Sequence, residues 1–317
     1  MRRPEKKPAP RAAMAGTRAA AALCAVLALC LCAACTNAAG AAATKGSHFA
    51  LVIGINAYKN VNALHNCVND AVGMKAALET GGWTVASCLV DAGATRAAIK
   101  SAVAGLAEQS GFGTESTVLV FYSGHGMLDS NSSAAYIVPV DFSAGIPAIS
   151  AGELKGWLGA LPCRNRLLIL DSCYSGGFVD SGGCADTSPQ YSASAYGQDR
   201  TMLAVANRKL AALLAESAGG RTDPSIMTMS ASGSEEFSWD VSELNHGVFT
   251  CYLLEAAAKG DSNGDGYVTM SEAFAYAKPL MKSWSQSVVA QSGGDIQYYL
   301  LPHISGGTGE IVLFNNN

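Results

Sequence analysis

The sequence predicts an α/β fold in which a mostly parallel central sheet carries helices on both faces. Apolar runs of strand length alternate with stretches of helical spacing, which is the pattern of repeated βαβ units. Several of these runs are apolar throughout, as strands buried on both faces require. With 317 residues, 49% of them hydrophobic and 15% charged, the chain can bury a large core, and this composition excludes an intrinsically disordered protein.

The predicted elements follow one another from residue 49 onward. FALVIGIN (49–56) is a continuous apolar run, and CVNDAVGMKAALE (67–79) then has helical spacing and stops before Gly81-Gly82. TVLVFYSG (117–124) reads as a fully buried strand. In chain order, the predicted strands are 49–56, 83–90, 117–124, 164–173 and 226–232, and the predicted helices are 67–79, 95–109, 247–259 and 271–284.

Residues 175–224 interrupt this alternation. They are rich in Ser, Gly, Ala and Asp and contain a single helical pattern, at 201–217. A stretch of 50 residues is too long for an ordinary loop inside a compact sheet. We therefore expect either a functional flap or a linker that is cut during maturation.

The first 34 residues have the composition of an export signal. A basic stretch ends at Arg18, an apolar run extends from Ala19 to Ala34, and Cys35 comes next. Small residues ahead of a cysteine resemble a bacterial lipoprotein signal, in which Cys35 becomes the lipid-modified first residue; the alternative is plain cleavage near Ala39. Both alternatives predict export, and lipidation of Cys35 would anchor the protein to a membrane of the cell envelope. A linker at 35–47 and one domain at 48–317 would follow.

The charge of the remaining chain restricts its partners. Six of the 21 basic residues and only one of the 25 acidic residues lie in the first 34, which leaves 15 basic against 24 acidic side chains, a net charge of −9. Such an acidic body repels phosphates and argues against nucleic acid as a partner. It favours metal ions or basic peptides.

Six cysteines lie beyond Cys35. An exported chain can form disulfides, but the spacing shows no tight framework, and a core of this size does not need one. We predict that most of these cysteines are small buried hydrophobic residues and that one is reactive. The six are Cys67, Cys88, Cys163, Cys173, Cys184 and Cys251.

Two predicted strands end in reactive residues. VLVFYSG runs into His125-Gly126, and LLIL runs into Asp171-Ser172-Cys173. Sites in open parallel sheets form at the carboxyl ends of the strands, so His125 and Cys173 lie side by side if these strands are neighbours. A thiol needs a base to react near neutral pH, and the Gly126 and Cys173 amides are candidate donors to an oxyanion. His246, which follows the predicted N-cap residue Asn245, is the competing base.

The two motifs FYSGHG and LDSCYSGG resemble those of the caspase-like cysteine peptidases, and the resemblance, which spans roughly residues 47–285, is closest to metacaspases and their bacterial relatives. It implies a caspase-like three-layer sandwich, with His125 as general base and acid, Cys173 as nucleophile, and the Gly126 and Cys173 amides as the oxyanion hole. Asp171-Ser172-Cys173 is the metacaspase form, where caspases proper carry Gln-Ala-Cys. Tyr174 stands where metacaspases commonly have His.

The same resemblance implies a preference for basic residues at the cleavage site. Asp70, in the segment NCVND, and Asp171 match the two carboxylates of the metacaspase S1 pocket, which would bind Arg or Lys at P1. Residues 230–232 and 237–239 resemble the strand and loop that wall the cleft, with Trp239 lining S2. The alternative for Asp70 is a first-turn acid that the helix dipole favours.

Residues 261–272 match the calcium loop of an EF-hand. Side-chain oxygens stand at positions 1, 3 and 5, Gly266 at position 6, a backbone carbonyl at 7 and a glutamate at 12. The alternative is a helix connection rich in Asp, Asn and Gly. We therefore predict a structural or modulating Ca²⁺ and no organic cofactor, with the ligands Asp261, Asn263, Asp265, Tyr267 and Glu272.

Taken together, these features predict an exported cysteine endopeptidase that cleaves peptides or proteins after Arg or Lys. Three alternatives are open: a catalytically weak relative that serves as a binding or scaffold domain, an enzyme that acts on a non-peptide ester or amide, and a structural envelope protein held by calcium.

Overall fold

The computed structural model describes residues 46–128, 135–174, 226–231, 240–241, 244–291, 302–306 and 311–316. The helices are α1 (Cys67–Thr80), α2 (Arg96–Gly105), α3 (Ala151–Gly159), α4 (Val248–Lys259) and α5 (Met270–Gln291). The strands are β1 (His48–Gly54), β2 (Thr84–Val90), β3 (Thr117–Leu128), β4 (Ala135–Ile137), β5 (Ile149–Ser150), β6 (Asn165–Tyr174), β7 (Ile226–Ser230), β8 (Asp240–Val241), β9 (His246–Gly247), β10 (Tyr267–Thr269), β11 (His303–Ser305) and β12 (Val312–Asn315).

The main sheet has the order β11-β7-β6-β3-β1-β2. The neighbours from β7 to β2 pair in parallel, and β11 adds an antiparallel edge. Strand β4 pairs antiparallel with the end of β3, and β5 pairs with β4. The predicted mostly parallel sheet is therefore confirmed, with all five predicted strands inside it.

Helices cover both faces of the sheet, as predicted. Because side chains alternate along a strand, β3 sends Val118, Val120 and Tyr122 into a core with α2 and α3. It sends Leu119 and Phe121 to the opposite core, with α1, α4 and α5. From Val118 to Tyr122 the strand is apolar because it belongs to two cores at once.

Helix α3 and the two short strands before it, β4 and β5, were not predicted as elements. The segment AGELKGWLG is short and carries three glycines, so its helical pattern is weak. A capping box secures its start, in which Ser150 and Glu153 exchange side-chain and backbone hydrogen bonds. Helix α5 extends to Gln291, past Pro279 and beyond the predicted end at residue 284.

Some predictions fall outside the described residues. These are the signal at 1–34, Cys35, the linker apart from its last residues, and the interruption at 175–224 with its helical pattern. Across the described ranges, no helix is both long and apolar enough to cross a membrane. Cys67 and Cys163 are buried, which agrees with their predicted role in packing, whereas Cys88 and Cys251 are partly buried.

Candidate active site

His125 and Cys173 are neighbours across two adjacent strands. The parallel pairing of β3 with β6 runs without a shift from Thr117↔Asn165 to Gly126↔Tyr174, and it makes His125 the Cα partner of Cys173. The two motifs reach the same edge of the sheet because the strands start in register. The structure thus brings together the two residues that the sequence selected, at the carboxyl ends where sites form in parallel sheets.

Two buried tyrosines hold the backbone of His125. The His125 N–H donates to the Tyr58 hydroxyl (2.9 Å), and the His125 carbonyl accepts from the Tyr122 hydroxyl (2.6 Å). The two hydroxyl oxygens lie 3.2 Å apart. Burial, together with Tyr122, raises the pKa of Tyr58 well above its usual value, so it stays a neutral hydroxyl.

Gly124 makes room for this tyrosine pair. A Cβ at this position would lie 2.6 Å from the hydroxyl oxygens of both Tyr58 and Tyr122, closer than side chains pack. Glycine before the histidine therefore leaves space for the two hydroxyl groups, a role that the motif alone does not reveal.

The ring of His125 has a defined tautomer. Its Nε2 lies 2.8 Å from the backbone carbonyl oxygen of Asn62, which can only accept a hydrogen bond. The proton of the neutral ring therefore sits on Nε2, and Nδ1 carries the lone pair. The ring also lies against that of Tyr58, with centroids 4.7 Å apart.

Asn62 lies in the loop between β1 and α1, and Asn56 stabilises that loop. The Asn56 side chain donates to the His65 carbonyl (2.9 Å) and accepts from the Val68 N–H (3.3 Å). Asn56 thus stabilises the loop that carries the Asn62 carbonyl, the group that orients the His125 ring. Sequence reasoning missed it because any residue can supply a backbone carbonyl.

Asp70 is 1% exposed and makes contacts outside its own helix. Its Oδ2 accepts from the Ser123 hydroxyl (2.8 Å), and its Oδ1 accepts from the Gly247 N–H (3.0 Å). The same Oδ1 lies 3.0 Å from Nδ1 of His246. The structure therefore gives Asp70 a set of tertiary contacts that a simple first-turn acid does not need.

Asp171 is also 1% exposed and meets the start of α4. Its Oδ2 accepts from the Thr250 N–H (3.1 Å) and from the Thr250 hydroxyl (2.6 Å). A Cβ on Gly247 would lie 2.6 Å from Oδ2 of Asp171 and 3.2 Å from Oδ2 of Asp70, so those oxygens are within about 6 Å of each other. The two predicted specificity carboxylates therefore belong to one buried cluster.

This carboxylate cluster adjoins the His125–Cys173 pair. Ser123, which binds Asp70, is the Cα partner of Asp171, two positions before His125 and Cys173 on the same strands. Ser123 was not predicted, although it stands inside the FYSGHG motif and shares the strand face of Phe121. His246 contacts Asp70 instead of taking a place in the β3–β6 register.

Gly126 and Trp239 are the remaining predicted residues of the site. Gly126 is the Cα partner of Tyr174 in β6 and of Ile137 in β4, so it lies between these two strands beside His125. Trp239 lies outside the described residues, as do 232–238.

The predicted calcium loop connects α4 to α5. Asp261 accepts hydrogen bonds from the backbone N–H groups of Gly264 (2.7 Å) and Gly266 (2.9 Å). These bonds, that from Gly266 above all, lower the pKa of Asp261. Gly266 has φ +83°, the left-handed conformation that the sixth position of such a loop requires.

Glu272 closes the loop from the other side. It accepts from the Ser262 hydroxyl (2.8 Å) and the Thr269 N–H (3.0 Å). Partial burial opposes ionisation, but these hydrogen bonds prevail and lower the pKa of Glu272. In the part of the chain that the structure describes, no three His, Cys, Asp or Glu side chains converge as a metal cluster. The loop thus has the turns and the oxygen groups of a calcium site. Its Asp261 and Glu272 carboxylates accept hydrogen bonds from other groups of the loop.

Comparison with known proteins identifies relatives of this fold. The sequence profile of the caspase domain family matches residues 47–293. A crystal structure of a protein from Geobacter sulfurreducens is similar, with 21% identity over 83% of this chain and 94% of that chain and a TM-score of 0.50. Caspase-1 from Spodoptera frugiperda is similar with 14% identity over 87% and 92% of the two chains and a TM-score of 0.52. No curated protein sequence matches significantly.

Proposed function

The chain belongs to the caspase domain family, and we propose that it is a cysteine endopeptidase that cleaves after Arg or Lys with a Cys173–His125 dyad. The observation that carries this proposal is the register of β3 and β6, which sets His125 beside Cys173 and Ser123 beside Asp171. The proposed catalytic pair and the Ser123–Asp171 pair then lie two positions apart on the same two strands.

The proposed reaction begins with proton transfer from the Cys173 thiol to Nδ1 of His125, whose Nε2–H stays bonded to the Asn62 carbonyl. The thiolate attacks the scissile carbonyl carbon, and the Gly126 and Cys173 amides stabilise the oxyanion. His125 protonates the leaving amine as the C–N bond breaks, which leaves an acyl-enzyme thioester. His125 then takes a proton from water, the hydroxide attacks the thioester, and the carboxylic acid product and the thiol are released.

Asp70 and Asp171 supply the proposed preference for basic P1 residues. Both carboxylates are buried among hydroxyl and N–H donors. A guanidinium or ammonium group would complete this cluster with charge-assisted hydrogen bonds. A P1 Asp would instead add a third negative charge to it.

The test is a panel of fluorogenic peptides that differ only at P1, carrying Arg, Lys, Gln or Asp. We expect turnover with Arg and Lys and a loss of at least about 10⁴-fold in Cys173→Ala and His125→Ala, because residues that act as a unit fail as a unit. Cleavage after Asp with none after Arg would contradict the assigned specificity. A folded wild type with no turnover on any peptide would point to a binding or scaffold domain.

We also propose that residues 261–272 bind Ca²⁺. The donor set is composed of oxygens, as Ca²⁺ prefers: carboxylates of Asp261, Asp265 and Glu272, the Asn263 amide oxygen and the Tyr267 carbonyl. The left-handed Gly266 supports the fit. Bound calcium would link the end of α4 to the start of α5 and stabilise that connection.

The proposed location is the cell envelope, through lipidation of Cys35. The support is the order of basic, apolar and small residues before Cys35. Fractionation of cells that express the wild type and Cys35→Ala tests this: the wild type should remain with membranes and the variant should not.

A further inference from the structure

His246 connects the buried carboxylate cluster to solvent. Its Nδ1 lies 3.0 Å from Oδ1 of Asp70, and its side chain is 24% exposed where that of Asp70 is 1% exposed. Since a carboxylate oxygen accepts, the neutral ring donates its Nδ1–H to Asp70. The ring is thus the partly exposed member of an otherwise buried set of polar groups.

The fold holds this ring in place through three special backbone positions. A Cβ on Gly73 would lie 3.0 Å from Cε1 of His246 and 2.8 Å from Cδ1 of Leu254, so glycine at residue 73 leaves room for these two side chains beside α1. Glycine within a helix costs roughly 1 kcal/mol relative to alanine. Asn245 turns the chain into β9 with φ +54°, and Gly247 follows between the two carboxylates.

The groups around His246 are mostly acidic. Helix α1 contributes Asp70, and β6 contributes Asp171, across Gly247. Helix α4 contributes the Cys251 thiol, whose pKa is raised by burial, by Glu255 and by Asp70, so that it stays neutral. In β8, Asp240 pairs with Gly247 through its backbone, and its side chain lies outside the described residues. Among the ion pairs of the described residues, Asp70 has His246 as its partner.

We propose that His246 is a specificity-determining residue that sets the net charge of the site for basic P1 side chains. This inference rests on the proposed function, in which Asp70 and Asp171 receive the P1 residue. A neutral His246 orients Asp70 and leaves the negative charge of Asp70 for Arg or Lys. A protonated His246 forms an ion pair with Asp70 and offsets that charge.

The consequence is a pH effect on substrate binding. Histidine changes its charge between about pH 5 and 8, so acidification places a cation beside Asp70. The KM for an Arg substrate should then rise by on the order of tenfold, since the interaction is partly screened by solvent. The kcat depends on the separate His125–Cys173 pair and should follow its own pH profile.

The experiment measures kcat and KM for the P1-Arg peptide from pH 5 to 8 in the wild type and in His246→Asn. The Asn side-chain amide can replace the Nδ1–H donor but cannot become charged. We expect KM to rise about tenfold on acidification in the wild type and less than about twofold in the variant. The rate at which iodoacetamide alkylates Cys173 should show the same pH profile in both proteins, because this reaction does not use the P1 site.

The possible failures are distinguishable. A KM profile in His246→Asn that equals that of the wild type overturns the role of His246 and leaves the proposed peptidase intact. A wild type that alkylates at Cys173 but cleaves after neither Arg nor Lys overturns the proposed specificity, and this inference with it. If His246→Asn melts well below the wild type, the same kinetics are measured with His246→Gln. A pH profile of KM in His246→Gln that equals that of the wild type would likewise contradict the role of His246.

Discussion

His125 owes its position to three groups from separate segments of the chain. The Tyr58 hydroxyl binds its N–H, the Tyr122 hydroxyl binds its carbonyl, and the Asn62 carbonyl binds its ring. Backbone and ring are therefore held by separate contacts, and the direction of Nδ1 depends on all three. Pre-organisation of this kind matters because small misplacements of a catalytic base reduce the rate strongly.

Removal of one tyrosine hydroxyl should expose this dependence. Tyr58→Phe leaves the buried His125 N–H without its acceptor, which costs about 1–3 kcal/mol of stability. We expect kcat to fall by on the order of 10–100-fold with little change in KM, because the P1 carboxylates are untouched. Steady-state kinetics and urea unfolding measure both effects. Tyr252→Phe on α4 is the matched control, and a kcat for Tyr58→Phe within twofold of the wild type would contradict the role of the hydroxyl.

Gly124 provides a steric test of the same arrangement. In Gly124→Ala the new methyl would lie 2.6 Å from both tyrosine hydroxyls and should force them apart, at a cost of about 1–3 kcal/mol. Cys173 alkylation should slow, because His125 moves with the strand. Gly152→Ala in α3 is the control, since its Cβ meets open space and alanine favours a helix. Equal stability and alkylation rates in the two variants would show that the tyrosine pair tolerates displacement.

The sequence identified side chains of the candidate site better than backbone groups. His125, Cys173, Asp70 and Asp171 could be located because reactive side chains stood at strand ends or in a recognisable segment. The Asn62 carbonyl and the Gly247 N–H could not, since every residue type carries these groups. The sequence also suggested Asn245 as a helix N-cap, which is wrong: α4 begins at Val248 with Gly247 as its cap residue.

At the level of elements, helix α4 is capped by a side chain from strand β6. Its own cap residue, Gly247, offers no side-chain acceptor, and Asp171 of β6 accepts the N–H of Thr250 in the first turn instead. Asp70 of α1 accepts the N–H of Gly247. Both carboxylates therefore lie at the positive end of the α4 dipole, where negative groups are stabilising. One pair of aspartates thus joins α1, β6 and α4 and also forms the proposed P1 site.

Two substitutions of Asp171 should separate these roles. Asp171→Asn keeps an oxygen that can cap α4 but removes the charge, so cleavage after Arg should fall at nearly constant stability. Asp171→Ala removes both the charge and the capping oxygen. It should lower the free energy of unfolding by about 0.5–2 kcal/mol more than Asp171→Asn does. KM for the P1-Arg peptide and chemical unfolding of both variants are the measurements. Full activity of Asp171→Asn on P1-Arg peptides would reduce Asp171 to a structural cap.

The loop between α4 and α5 gives a prediction about calcium. Binding to the folded state alone stabilises it by RT ln(1 + [L]/Kd), and extracellular-type sites have Kd of roughly 10⁻⁴–10⁻³ M. Millimolar calcium should therefore raise stability by about 1 kcal/mol and raise the melting temperature. The rise should disappear in Glu272→Gln and weaken at acidic pH, because protons compete for Asp261 and Glu272.

The matched control for calcium is Glu255→Gln, on the neighbouring helix α4. Direct titration by calorimetry should show one site in the wild type and in Glu255→Gln. No melting shift and no heat of binding in the wild type would make the loop a helix connection. Calcium that raised activity manyfold without any effect on melting would place the responsible site nearer the cleft.

Across the whole molecule, alternation of strand and helix patterns was enough to predict the parallel sheet and its two helical layers. The full strand order could not be predicted from the sequence. Strand β11 pairs with β7 from far along the chain, and β4 and β5 are too short to show a periodicity. Strand β3 continues to Leu128, past the polar Ser-Gly-His segment where apolar character ends. Hydrogen bonds to β4 and β6 extend it there, and the sequence pattern of β3 alone contains no information about them.

The parallel pairing of β6 with β7 bears on processing of the whole chain. The residues between these strands include Arg200, Arg208, Lys209 and Arg221, and an enzyme with the proposed preference can cleave after each of them. We expect purified wild type to yield two fragments that meet between residues 200 and 221, whereas Cys173→Ala remains intact. Denaturing electrophoresis with mass spectrometry of the new termini checks this.

The fragments should stay together after such a cut. Strand β6 remains on one fragment and β7 on the other, and their backbone pairs run from Arg166↔Ile226 to Leu170↔Ser230 in the centre of the sheet. Gel filtration should therefore show one species of unchanged size, because separation would expose strand edges and two apolar cores at once. Replacement of the four basic residues by Gln is the control, since it removes the cleavage sites and leaves the dyad intact. An uncut wild type with full activity would contradict processing and make residues 175–224 a flap of a single-chain enzyme.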